Sequence, residues 1–88
     1  MKRFSIKIYG RVQGVSFRWQ TQKKAKSLNL TGFVCNQSDG TVYVEVEGAE
    51  EMLIKFLEWC RKGPIWSKVE KVEVEGSTTK GYNAFEIK

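Results

Sequence analysis

Two short stretches of the chain carry residue types that can do chemistry. The first is Gly10-Arg11-Val12-Gln13-Gly14-Val15-Ser16-Phe17-Arg18. Its two glycines let the backbone curl so that successive amides face one anion. If a helix begins at its end, that helix adds unpaired N–H groups and a positive dipole end. Arg18 then lies in the first helical turn, where its guanidinium can fork onto the same anion. The implied ligand is a phosphate-sized dianion. The same residues would also serve as an ordinary strand-to-helix turn with a surface arginine, and spacing alone leaves both readings open. The glycine spacing fits neither the Walker A loop, since no Lys-Ser/Thr follows, nor Gly-x-Gly-x-x-Gly. A nucleotide site is therefore disfavoured.

The second stretch is Gly32-Phe33-Val34-Cys35-Asn36-Gln37-Ser38-Asp39-Gly40-Thr41-Val42. Asn36 is the chemical candidate, because its amide can accept from a water and donate to an oxygen. Asparagine also shapes turns, so Asn36 alone decides nothing.

Both stretches need elements to hold them. Lys2 to Tyr9 alternates, with Phe4, Ile6 and Ile8 on one face, which predicts a half-buried strand. Gly10 to Ser16 is expected to be irregular. Phe17, Thr21, Ala25 and Leu28 predict a helix from about Ser16 to Leu28, ending near Asn29, a residue that tolerates a left-handed cap. Leu30 to Asn36 and Thr41 to Glu47 predict a hairpin around the Asp39-Gly40 step. A second helix is bounded by Glu50 and Glu51 at its start and by Arg61, Lys62, Gly63 and Pro64 at its end. Its apolar stripe is Met52, Leu53, Phe56, Leu57 and Cys60. Val72 and Val74 mark a fourth strand, and Phe85 and Ile87 a short last one. This order predicts an α+β fold, a ferredoxin-like split β-α-β sandwich with two helices on one face of an antiparallel sheet. Residues 1–88 make a single domain, with no linker, repeat or low-complexity segment.

Composition narrows the chemistry. The 88 residues include no histidine. A Ser-His or Cys-His nucleophile, an imidazole base and a histidine-ligated metal are all excluded. Two cysteines, Cys35 and Cys60, cannot close a zinc site and are too few for a disulfide-stapled secreted domain. They read as free thiols of a cytoplasmic protein. No apolar run is long enough to span a membrane, and Lys7 and Arg11 interrupt any signal-peptide core. Of the net charge of +5, residues 1–40 hold +7, from eight basic side chains against Asp39. An anionic partner is expected on that half. The cluster Lys23, Lys24 and Lys26 also suits a solvated helix face. Trp19, Trp59 and Trp66 are read as packing or partly covered surface, and Cys60 as core.

Taken together, the two stretches resemble the acylphosphatase family. The resemblance rests on Gly10-x-Val12-Gln13-Gly14-Val15-x-Phe17-Arg18 and on Gly32-Phe33-Val34-x-Asn36-x-x-x-Gly40-x-Val42-x-x-x-x-x-Gly48. Ala25, Leu28, Leu30 and Gly63-Pro64 fit the family spacing as well. Asn29 departs mildly, standing where glycine is common. The resemblance implies hydrolysis of an acyl phosphate to a carboxylate and inorganic phosphate. It assigns phosphate binding to Arg18 and to the backbone from Arg11 to Arg18 (Arg11, Val12, Gln13, Gly14, Val15, Ser16, Phe17). It assigns the attacking water to Asn36. No metal and no cofactor are implied. The expected partners are a small acyl phosphate and inorganic phosphate, not nucleic acid or membrane, acting on a monomer. An RNA-recognition module of the same fold is the main rival, but Cys35-Asn36-Gln37 breaks the aromatic pattern such a strand would need, and an acylphosphatase-like regulatory or maturation domain that has lost its larger partner is the second.

Overall fold

A computed structural model describes residues 1–14 and 16–88. Its elements are β1 (Lys2–Arg11), α1 (Phe17–Ser27), β2 (Thr31–Asn36), β3 (Val42–Gly48), α2 (Glu50–Lys62), β4 (Lys68–Ser77) and β5 (Phe85–Ile87). They form one five-stranded sheet in the order β4-β1-β3-β2-β5. Strands β1 and β3 are central because they bury the most regular apolar faces. Ile6 and Ile8 of β1 and Val42, Val44 and Val46 of β3 are fully buried. Both helices pack on that face, α1 through Phe17 and Ala25 and α2 through Leu53, Phe56 and Cys60. Thr21 is polar yet buried in α1, and it is satisfied by donating its hydroxyl to the Phe17 carbonyl at 2.7 Å.

The split β-α-β architecture is thus present, with three differences from the expected detail. First, β1 pairs antiparallel with β3 and β4, and β2 with β3, but β5 runs parallel to β2. The sheet is mixed rather than wholly antiparallel, because the long return after β4 delivers β5 in the direction of β2. Second, Gly10 and Arg11 belong to β1 and are not irregular. The register shifts between Tyr9 and Gly10. Gly10 takes a φ of 124° there, and a Cβ on it would lie 2.1 Å from the Lys68 carbonyl oxygen. Only glycine permits that approach. The strand therefore runs two residues further before the chain breaks into the loop.

Third, the sheet face away from the helices is not simply solvated. Glu45 and Glu47 of β3 are buried and hydrogen-bonded to residues 80–82. Carboxylates are buried only where donors replace water. Glu45 accepts from Arg3 at 3.0 Å, from the Tyr43 hydroxyl at 2.7 Å and from the Tyr82 hydroxyl at 2.5 Å. Glu47 accepts the backbone N–H groups of Lys80, Gly81 and Tyr82. These two side chains strap the β4–β5 connection across the sheet and so fix where β5 begins. The helix ends follow the sequence: Asn29 is left-handed at φ 58°, and Gly63 at φ 72° stops α2. Among the described residues no helix is long and apolar enough to cross a membrane.

Burial by itself would raise the Glu45 pKa. The Tyr82 and Tyr43 hydroxyls and the Lys80 ammonium outweigh it and hold the carboxyl at about 2 instead of its ordinary 4.5. A depressed carboxyl stabilises the fold fully above its unfolded pKa and loses that contribution as pH falls through the folded one. Glu45→Gln is therefore expected to cost about 2 kcal/mol at pH 7, with the gap to wild type closing between pH 5 and pH 2. Urea unfolding across that pH range checks it. A gap that stays constant with pH would show that Glu45 does not act through its charge.

Candidate functional site

The β1–α1 loop and the end of β2 meet at one pocket of about 190 Å³. It is lined by Val12, Gly14, Ser16, Phe17, Arg18, Trp19, Asn36 and Ile87. Arg18 and Asn36, 18 positions apart in sequence, thus share one concavity. Arg18 is the only charged side chain lining it among the described residues.

The loop is held from three sides. The Val12 and Phe17 side chains are essentially fully buried in the core, so they anchor its two ends rather than meet a ligand side-on. Between them the backbone curls: Gly14 has φ 73° and Ser16, the residue preceding α1, has φ 63°. Left-handed residues alternating in a loop turn N–H groups inward. Val15 lies outside the described residues. The third fastening is Gln13. Its side-chain amide donates to the carbonyls of Gln37 at 2.7 Å and Thr41 at 2.8 Å. Those carbonyls belong to the β2–β3 turn immediately after Asn36. Gln13 therefore ties the loop to the strand end that carries Asn36.

That turn is itself rigid. Asp39 accepts from the Thr41 backbone N–H at 3.0 Å and from its hydroxyl at 2.6 Å, and it pairs with Lys7 at 3.1 Å. The Thr41 hydroxyl and N–H, aided by Lys7, hold the Asp39 carboxyl down at about 2. The one acid of the basic half is in this way neutralised locally.

Helix α1 opens onto the pocket with its first N–H groups. Its first turn contains no acidic residue, and Ser16 makes no side-chain cap. The first N–H groups of an α-helix have no intrahelical acceptor, and an anion supplies one. Arg18 donates from Nη1 to the Lys88 backbone oxygen at 3.2 Å. Lys88 is in turn held by its N–H on the Val34 carbonyl at 2.8 Å. The guanidinium is thus oriented by the residue that follows β5.

Of the residues expected to bind phosphate, Val12, Gly14, Ser16, Phe17 and Arg18 line the pocket and Arg11 and Gln13 do not. Arg11 is exposed at the end of β1, paired in the sheet with Lys68. Trp19 and Ile87 do line the pocket, although Trp19 is expected as packing or partly covered surface and Ile87 as a strand residue. A signal for Trp19 exists in hindsight: it directly follows Arg18 and falls off the Phe17, Thr21, Ala25 stripe. The Lys88 contact has none, since it uses a backbone atom. A larger depression of about 440 Å³ on the open sheet face is lined by Ser5, Lys7, Tyr43, Glu73, Val74 and Glu75. Its two carboxylates make it a poor place for an anion.

The chain is similar to known proteins. The Acylphosphatase family model matches residues 4–87. An acylphosphatase of Thermotoga petrophila is 46% identical over the whole chain and 98% of its own length. The crystal structure of acylphosphatase from Bacillus subtilis superposes with a TM-score of 0.97 at 39% identity, covering 99% of this chain and 98% of that one. An acylphosphatase structure from Coxiella burnetii gives 0.95 at 33% identity, over 99% and 92% of the two chains. Fold, length and sequence agree, and the chain belongs to the acylphosphatase family.

Proposed function

We propose that this pocket hydrolyses small acyl phosphates, with the phosphate on Arg18 and the loop amides and the attacking water on Asn36. The observation that carries the reading is the shared pocket of Arg18 and Asn36 at the N-terminus of α1. Water attacks phosphorus in line with the acyl oxygen, the P–O bond to the acyl group breaks, and the carboxylate leaves with the bonding pair. A carboxylate of ordinary pKa needs no proton to depart. The transition state is loose, with charge spread over the phosphoryl oxygens, so positioning and fixed positive potential are the main demands. Arg18 and the loop amides supply the potential. Asn36 orients the water. Its amide has no basic pKa, so the water's proton passes to a phosphoryl oxygen of the substrate. No step calls for histidine.

Gln13 acts indirectly, setting the spacing of the two groups through the turn. We infer that the chain works as a monomer. Its place is the cytoplasm, in keeping with two unbonded thiols, one of them (Cys60) fully buried and pushed up in pKa by that burial. A nucleic-acid role draws no support from a site with a single lining charge.

Three outcomes are expected with benzoyl phosphate as substrate. Arg18→Ala lowers kcat by about 10²–10³-fold and abolishes competitive inhibition by inorganic phosphate. Unchanged phosphate inhibition would remove Arg18 from binding. Asn36→Ala lowers kcat by about 10²-fold while phosphate inhibition stays near wild type. A folded Asn36→Ala protein that turns over normally would take Asn36 out of the mechanism. Gln13→Ala retains both groups yet lowers kcat about tenfold and unfolding free energy by about 1–2 kcal/mol, whereas Gln13→Glu, which cannot donate to the same carbonyls when ionised, is no better. Full activity in Gln13→Ala would show that the two loops keep their spacing without it.

A further inference from the structure

Trp19 and Ile87 are large apolar side chains that the core does not use. Trp19 is 54% exposed and Ile87 39% exposed, and both line the pocket that holds Arg18 and Asn36. Ile65 and Trp66 are more exposed still but do not line it. Trp19 is also held in place. The Lys23 ammonium, one turn along α1, sits 5.2 Å from the centre of its ring. Ile87 is fixed by the parallel pairing of β5 with β2, opposite Val34.

An acyl phosphate is chemically two-ended. One end always carries the phosphate charge, and the acyl end can be wholly apolar. The pocket's volume of about 190 Å³ is below the roughly 300–1,000 Å³ that encloses a drug-sized ligand. A phosphate seated at Arg18 therefore leaves any acyl group larger than acetyl at the rim, where the available surface is the Trp19 ring and the Ile87 side chain. We propose that Trp19 and Ile87 form an apolar wall that receives the acyl group, so that the enzyme favours aromatic or branched apolar acyl phosphates over acetyl phosphate. This rests on the reading of the Arg18 pocket as the phosphate site. Acetyl presents little area to the wall, whereas an aromatic ring gains both buried area and an aromatic contact.

The test is kcat/KM for benzoyl and acetyl phosphate with the full chain, together with inhibition by inorganic phosphate. In Trp19→Ala the benzoyl-to-acetyl ratio of kcat/KM is expected to fall about tenfold. Trp19→Phe, which keeps an aromatic ring, should hold most of the ratio, and Ile87→Ser should lower it less than Trp19→Ala does. An unchanged ratio in both Trp19→Ala and Ile87→Ser overturns the wall, as does an equal loss on both substrates. So does a chain that forms dimers abolished by Trp19→Ala with selectivity intact, which would give the ring to a second copy. The pocket reading fails separately: if inorganic phosphate does not inhibit wild type, or inhibits Arg18→Ala equally well, the phosphate site is elsewhere and the wall falls with it.

Discussion

The site depends on one side-chain amide. Gln13 donates twice to the turn that follows Asn36, at 2.7 and 2.8 Å, across a separation of 24 and 28 residues. Without that tie the β1–α1 loop and the end of β2 would be two independent loop edges. Val12 and Phe17, buried at either end of the loop, supply the complementary constraint, each contributing about 1.5–3 kcal/mol by leaving water. The loop cannot drift without pulling an apolar side chain from the core. Gln13 cannot release without leaving a side-chain amide to find new partners. The geometry of the pocket is in this way written into the packing of a small domain.

The opposite face of the sheet serves the same end by a different route. Glu47 binds three consecutive backbone N–H groups of the β4–β5 connection, and Glu45 gathers Arg3, Tyr43 and Tyr82 around it. This network fixes the segment that delivers β5. Strand β5 then places Ile87 at the pocket and the Lys88 backbone oxygen against Arg18. Only three residues long, β5 would have little to hold it beside β2 if its approach were loose. A carboxylate pair on one side of the sheet thus bears on the guanidinium on the other.

How much of this was legible depended on whether a signal was periodic. Alternating apolar residues such as Phe4, Ile6 and Ile8, the Phe17–Thr21–Ala25 stripe and the Gly63-Pro64 stop gave all five strands and both helices, because burial on one face imposes a period. Arg18 and Asn36 were legible as chemistry, and their co-location in one pocket follows from the fold. Three features carried no such signal. The extension of β1 through Gly10 and Arg11 depends on a tertiary contact with Lys68, where glycine reads locally as a breaker. The parallel run of β5 depends on the path of a connection that has no regular structure. The Gln13 side-chain tie depends on carbonyls 24 and 28 positions away, and nothing local to Gln13 marks it.

The charge distribution completes the argument about a chain without histidine. A basic half is useful to an anion only if its acids are kept from competing. Asp39, its one acid, is closed off by Thr41 and Lys7 on the turn beside the site. Three acids of the other half are engaged too: Glu45 and Glu47 on the open face, and Glu73 by the Tyr9 hydroxyl and Lys71. What remains facing the pocket is a single arginine, a helix N-terminus with no acidic residue in its first turn and a neutral amide. A group that must be protonated or deprotonated to act would make this field vary near neutral pH, and none of the lining side chains is of that kind. The chemistry left to such a site is the transfer of a phosphoryl group whose partner departs unaided, and the absence of histidine selects the substrate as much as it restricts the enzyme.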